Sequence, residues 1–154
     1  MNNTKLRLKA LPITDRIAQE NSWLECDGMS NVMHYYLDQE KLPVTHHRGI
    51  VFPADTYPVD HDWLQLESWI IDYRLRIWYP DEPKDKIPNG IFHNSDWPNI
   101  GYTTYQLLGV LPHFVIEELE KVRPAPDWTA FARSLRNRYL GNGPTEEEVA
   151  RLSN

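Results

Sequence analysis

Only one cysteine, Cys26, occurs among the 154 residues, so no disulfide can form within the chain. Glycine is sparse and scattered, at Gly28, Gly49, Gly90, Gly101 and Gly109 before the C-terminal pair, and no glycine-rich phosphate loop is present. There is no HExxH and no paired-cysteine motif. No apolar run approaches the roughly 20 residues that a membrane span requires, and Met1 to Ala10 is polar and basic, without the apolar centre of a signal peptide. Positive charge is also short: 16 Lys and Arg stand against 22 Asp and Glu, a net charge of −6. That balance argues against a nucleic-acid partner, whose phosphates demand cationic contacts; Arg123, Arg133, Arg136 and Arg138 read as a solvated helix face. These absences point to a cytoplasmic protein with no membrane partner and no cofactor. A protein exported without a classical signal would share them.

What the chain has in abundance is large rings, six tryptophans and eight tyrosines, enough for a core and for the walls of a cleft. Its length suits a single domain over 1–154. Residues 1–12 read as an arm or edge strand, because Lys5-Leu6-Arg7-Leu8-Lys9 alternates. Thr14 reads as the N-cap of a short helix through Asn21, with Asp15 in its first turn. Met29, Val32, Met33, Tyr36 and Leu37 then fall at helical spacing, one apolar face of a helix closed by Pro43, with Cys26 and Asp27 at its head. From Val44 the period changes. Strands are expected over Val44 to Phe52, His61 to Leu66 and Trp69 to Trp78, followed by a loop region over 79–98 and a further strand over Gly101 to Leu111. Residues 112–154 read as helical, with Pro112 in a first turn, Asp127 as a cap, a stop at Gly141-Asn142-Gly143 and a capping box from Thr145 to Glu148.

The chemistry concentrates between 22 and 78. A thiol at a helix N-terminus faces free backbone N–H groups and the positive end of the helix dipole, both of which favour thiolate. A nearby imidazole takes its proton, and a carboxylate on the second ring nitrogen fixes the tautomer. Cys26, His61 and Asp72 supply those three groups. If Glu67 and Ser68 are the two residues of a hairpin loop, Leu66 faces Trp69. His61, Trp63, Asp72 and Arg74 then share one face, with His61 and Asp72 diagonal neighbours.

Cysteine at the head of a helix, histidine followed after one residue by tryptophan on a strand, and a short hairpin to aspartate resemble the core of the transglutaminase-like branch of the papain-like cysteine enzymes. The histidine motif of that branch commonly reads His-Ala-Trp followed by apolar and acidic residues; here it is His61-Asp62-Trp63-Leu64-Gln65-Leu66, with Asp62 in place of the usual small residue. The aspartate falls eleven residues after His61, close to the family spacing, which is also similar to that of the leader peptidases of lasso-peptide biosynthesis. The resemblance covers Trp23 to Trp78 and nothing after Tyr79. It implies an α+β fold, a nucleophile helix packed on an antiparallel sheet with extra C-terminal helices, and an acyl-transfer enzyme acting on a protein or peptide as peptidase, deamidase or transglutaminase. Cys26 would be nucleophile, His61 base and then acid, and Asp72 its orienting partner. The backbone N–H of Cys26 would be one oxyanion donor; Gln19, Asn21 or Trp23 would supply the second, and Trp63 a wall of the substrate site.

Each group also has a plainer reading. A lone cysteine is commonly a small buried hydrophobe, Asp72 has Arg74 and Arg76 as possible ion-pair partners, and Trp63 suits a core. His46, His47, Asp60, His61 and Asp62 form a set of potential metal ligands, but adjacent histidines on a strand point to opposite faces; no metal centre is expected. The alternative to an enzyme is a binding protein without catalysis, such as a phage or bacterial inhibitor or immunity protein on this scaffold.

Overall fold

A computed structural model describes residues 2–139. The N-terminal segment, expected as an arm or edge strand with a short helix behind it, is one continuous helix, α1 (Asn3–Glu20), capped by the Asn2 side chain, which accepts from the Lys5 N–H at 2.9 Å. The lysine–leucine alternation misleads because Leu6, Ala10, Thr14 and Ile17 form a buried stripe at helical spacing, whereas Leu8 is exposed. Thr14 lies inside the helix rather than at its start. Its hydroxyl meets the Leu11 carbonyl and the Tyr73 hydroxyl.

The second helix, α2 (Cys26–Gln39), begins on the cysteine. Met29, Val32, Met33 and Leu37 are each 2 % exposed or less, and at roughly 2 kcal/mol per buried side chain they hold the helix on the sheet. Tyr36, at the margin of that stripe, donates to the Glu120 carboxylate at 2.6 Å. The helix stops before Pro43, where Lys41 takes a left-handed φ of 58°.

Five strands follow: β1 (Val44–Pro53), β2 (Val59–Leu66), β3 (Trp69–Asp72), β4 (Gly90–His93) and β5 (Ile100–Leu108). They form one antiparallel sheet in the order β4-β3-β2-β1-β5. The expected strand from Trp69 to Trp78 ends at Asp72; a 3-10 turn over Leu75–Trp78 takes its place. The expected loop over 79–98 carries β4, with short 3-10 turns on either side of it. Gly49, opposite His61, sits at a β-bulge where a Cβ would lie 2.0 Å from the Thr103 carbonyl oxygen, so a side chain there is excluded.

Two helices follow the sheet, α3 (His113–Glu120) and α4 (Trp128–Tyr139). The Asp127 carboxylate caps α4 by accepting from the Ala130 N–H at 3.0 Å. The stop at Gly141-Asn142-Gly143 and the capping box from Thr145 fall outside the described residues. Strand alternation divides the core in two. Leu64, Leu66 and Ile71 pack with α1 and α2, while Val59, Trp63, Ile70 and Phe92 pack with Trp78, Tyr79 and Ala132. Cys26, at the tip of α2, joins the second cluster. Among the described residues no helix is long and apolar enough to cross a membrane.

Candidate active site

The loop before α2 is tied to the end of β3 by Arg74. Its guanidinium donates to the Leu24 carbonyl at 2.7 Å and to the Asn21 carbonyl at 3.2 Å. This brings Cys26 to the open end of the β2–β3 hairpin. The hairpin has the register required by a two-residue loop: Leu66 pairs with Trp69 and Leu64 with Ile71, and Glu67 takes the positive φ, 53°, of a tight turn. His61 and Asp72 therefore converge on one face.

The contact is close. His61 Nε2 lies 2.9 Å from Asp72 Oδ1 and 2.8 Å from Oδ2, with both side chains essentially sealed from solvent. The same carboxylate accepts from the Tyr102 hydroxyl at 2.9 Å and from the backbone N–H groups of Arg74 and Leu75 at 3.1 Å. With that many donors its orientation is fixed, and Nε2 carries the ring hydrogen. On the other side of the ring, the Trp78 indole N–H approaches Nδ1 at 3.3 Å. Nδ1 is thus the nitrogen turned away from Asp72, and Cys26 is close enough for its charge and a side-chain hydrogen bond to act on the ring. Burial, the largest influence, opposes charge on His61. The charges of Asp72 and Cys26 and the hydrogen bonds to both outweigh it, and the imidazole is raised from 6.5 to about 10.

Cys26 is a free thiol, 8 % exposed. It opens onto a cavity of about 430 Å³ that His61 and Trp78 also line, with Phe131 and Leu135 of α4 on the far wall. Carboxylates ring the mouth: Glu25, Asp27, Asp60 and Asp62. Burial first, then the charge and hydrogen bond of Asp27 and the charge of Asp62, raise Glu25 from 4.5 to about 7.

Gln19, Asn21, Trp23 and Trp63 do not line the cavity that holds Cys26. Gln19 is exposed on α1. Asn21 is buried and donates to the Ile17 carbonyl at 2.9 Å. The Trp23 indole donates to the Leu119 carbonyl at 3.0 Å, fastening α3 to the segment before α2. Trp63 shares the face of His61 but is 2 % exposed, stacked on His47 and edge-on to Tyr102. Trp78 and Tyr102 touch the histidine–aspartate pair without having been singled out from the sequence. Both come from segments whose contact with β2 and β3 depends on the sheet order.

A second histidine–aspartate pair lies one strand away. His46 Nε2 is 2.9 Å from Asp62 Oδ2, and Arg48 grips the same carboxylate at 2.8 and 3.0 Å. His47 takes the opposite face, bonded to the Thr45 and Thr104 hydroxyls. Among the described residues, no group of three or more His, Cys, Asp or Glu side chains is arranged to hold a metal ion. Comparison with known proteins brought no match, whether among family models, curated proteins or solved structures.

Proposed function

We propose that this chain is a cysteine-dependent acyl-transfer enzyme with a papain-like, transglutaminase-like core, acting on a protein or peptide. The observation that carries the reading is a buried His61 held through Nε2 by Asp72, with the free Cys26 thiol close enough to act on the same ring. The His61 ring, raised to about 10, holds the Cys26 proton on Nδ1 as imidazolium while Sγ attacks an amide carbonyl carbon. The tetrahedral intermediate collapses, the C–N bond breaks, and the imidazolium returns the proton to the departing amine or ammonia. A thioester remains on Cys26. Water or an incoming amine, deprotonated by the same nitrogen, attacks it and releases the acyl group with the thiol restored. Hydrolysis, deamidation and acyl transfer to an amine differ only in leaving group and acceptor. The backbone N–H of Cys26, in the first turn of α2, is the donor closest at hand for the oxyanion.

Alkylation by iodoacetamide at pH 6 tests this directly. The wild type should react at least about tenfold faster than free cysteine, because an imidazole-paired thiol carries thiolate at that pH, and His61→Ala should remove the advantage. A thiol that reacts like free cysteine and ignores His61→Ala would instead favour the non-catalytic binding protein.

A further inference from the structure

A second cavity lies on the other side of the α2 head. It measures about 410 Å³, against about 430 Å³ for the one holding Cys26 and His61. Both are walled by Glu25 and Asp27, the residues immediately before and after Cys26. The rings across the divide also touch: Trp128 of the second cavity meets Trp78 of the first edge-on, with centroids 6.1 Å apart. Cys26 therefore lies between two residues that wall both chambers, while its own side chain lines the first.

The second chamber combines an apolar wall with the polar side chains of Glu25, Asp27, Asn31 and Arg123. Its walls include Trp23, Leu111, Val115, Leu119, Pro126 and Trp128. Trp23 is locked to α3 through its bond to the Leu119 carbonyl, so this wall is preformed. The Trp128 indole nitrogen is buried and has no hydrogen-bond partner among the described residues. A preformed chamber with so much apolar wall suits an apolar side chain.

We propose that the two cavities form one substrate cleft for an extended polypeptide, with the reacting carbonyl at Cys26 and a neighbouring apolar residue of the substrate seated in the second chamber. The proposal rests on the enzyme reading above. A small free amide would fill only the first chamber, whereas a polypeptide occupies both.

The test uses thiol-directed probes on the intact protein. Chloroacetamide reports the bare reactivity of Cys26. Chloroacetyl-leucine amide and chloroacetyl-phenylalanine amide add an apolar residue on the amine side of the reacting carbonyl, acetyl-leucine chloromethyl ketone adds one on the acyl side, and chloroacetyl-glutamate amide and acetyl-glutamate chloromethyl ketone are the polar controls. One apolar side chain in a fitted pocket is worth roughly ten- to two-hundredfold in rate. We expect an apolar advantage of at least about tenfold over the matching glutamate probe on one of the two sides. Val115→Trp and, independently, Leu111→Trp fill the chamber and should erase that advantage when each probe rate is divided by the same variant's chloroacetamide rate. Equal rates for apolar and glutamate probes, with chloroacetamide still slowed by His61→Ala, would overturn the cleft and leave the enzyme. An apolar advantage that survives both filled variants would overturn the cleft as well. A chloroacetamide rate indifferent to His61→Ala overturns both readings together.

Discussion

Two buried histidine–aspartate pairs sit on neighbouring strands. In each, a histidine Nε2 lies 2.8–2.9 Å from a carboxylate, and the histidine is 0–1 % exposed. They differ in what addresses the rest of the pair. The Asp72 carboxylate is held by a hydroxyl and two backbone N–H groups, and a free thiol faces the His61 ring. The Asp62 carboxylate is clamped by the Arg48 guanidinium, and His46 Nδ1 has no partner among the described residues. Burial resists ionisation of Asp62, but hydrogen bonds to His46 and Arg48 and the charges of both hold its carboxyl below the ordinary value. A histidine–aspartate pair is therefore not in itself a base. It becomes a candidate base where its second nitrogen meets an exchangeable proton, and it is a structural ion pair where an arginine has already balanced the carboxylate.

The sharpest break in this comparison is Asp72→Asn against Asp62→Asn. Asp72→Asn should slow Cys26 alkylation at pH 6 on the order of a hundredfold, as loss of an orienting carboxylate does in general-base sites. Asp62→Asn should leave that rate within about threefold, since Arg48 already screens the carboxylate. Urea denaturation should report a cost of about 3 kcal/mol for each, because each strands a buried partner. If the alkylation rates fall alike, the distinction between the pairs is wrong.

Stability against pH separates them next. The folded state raises His61 from 6.5 to about 10, so it binds that proton more tightly than the unfolded chain. The contribution is complete below pH 6.5 and disappears as pH rises through about 10. Asp62 is lowered from 3.8, so its contribution is present above 3.8 and is lost on acidification through the lower folded value. The urea midpoint of the wild type should accordingly decline in the alkaline window, and His61→Asn should flatten that decline. Asp62→Asn should flatten only the acid limb.

A smaller effect is expected at Glu25. Its folded value is raised from 4.5 to about 7, so its ionisation weakens the fold as pH rises through that range. Glu25→Gln should be more stable than wild type above pH 7 by roughly 1 kcal/mol, a figure reduced for solvent screening at this half-exposed group, and no different below pH 4.5. The smallest change is Asp127→Ala, which removes the exposed α4 cap and should cost about 0.5 kcal/mol in thermal unfolding without altering the alkylation ratio between the two asparagine variants.

The contact between His61 and Asp72 was legible because one turn determines it: once Glu67-Ser68 is the loop, strand parity puts both on one face. The second pair obeys the same diagonal rule, with His46 opposite Leu64 and so two residues from Asp62. It was not legible because the longer connection from β1 to β2 leaves the register open. From the sequence Trp78 reads as strand, since aromatic and branched residues fit both strand and 3-10 turn. Only the fourfold acceptance at Asp72, which draws in the N–H groups of Arg74 and Leu75, explains why the strand stops there. At the N-terminus, five alternating residues suggested a strand, but the buried stripe that decides for helix needs a window past Thr14, across Pro12.

Arg74 is also a mechanical part. Its guanidinium lashes the strand that ends in the aspartate to the carbonyls just upstream of the cysteine, so the gap between sulfur and ring is set from outside both. An arm shortened to lysine, with one point charge in place of a planar fork, would let the two halves drift apart with every reacting group intact. In the proposed enzyme, evolution or an engineer could thereby detune the chemistry gradually, by loosening a strut rather than deleting a tool.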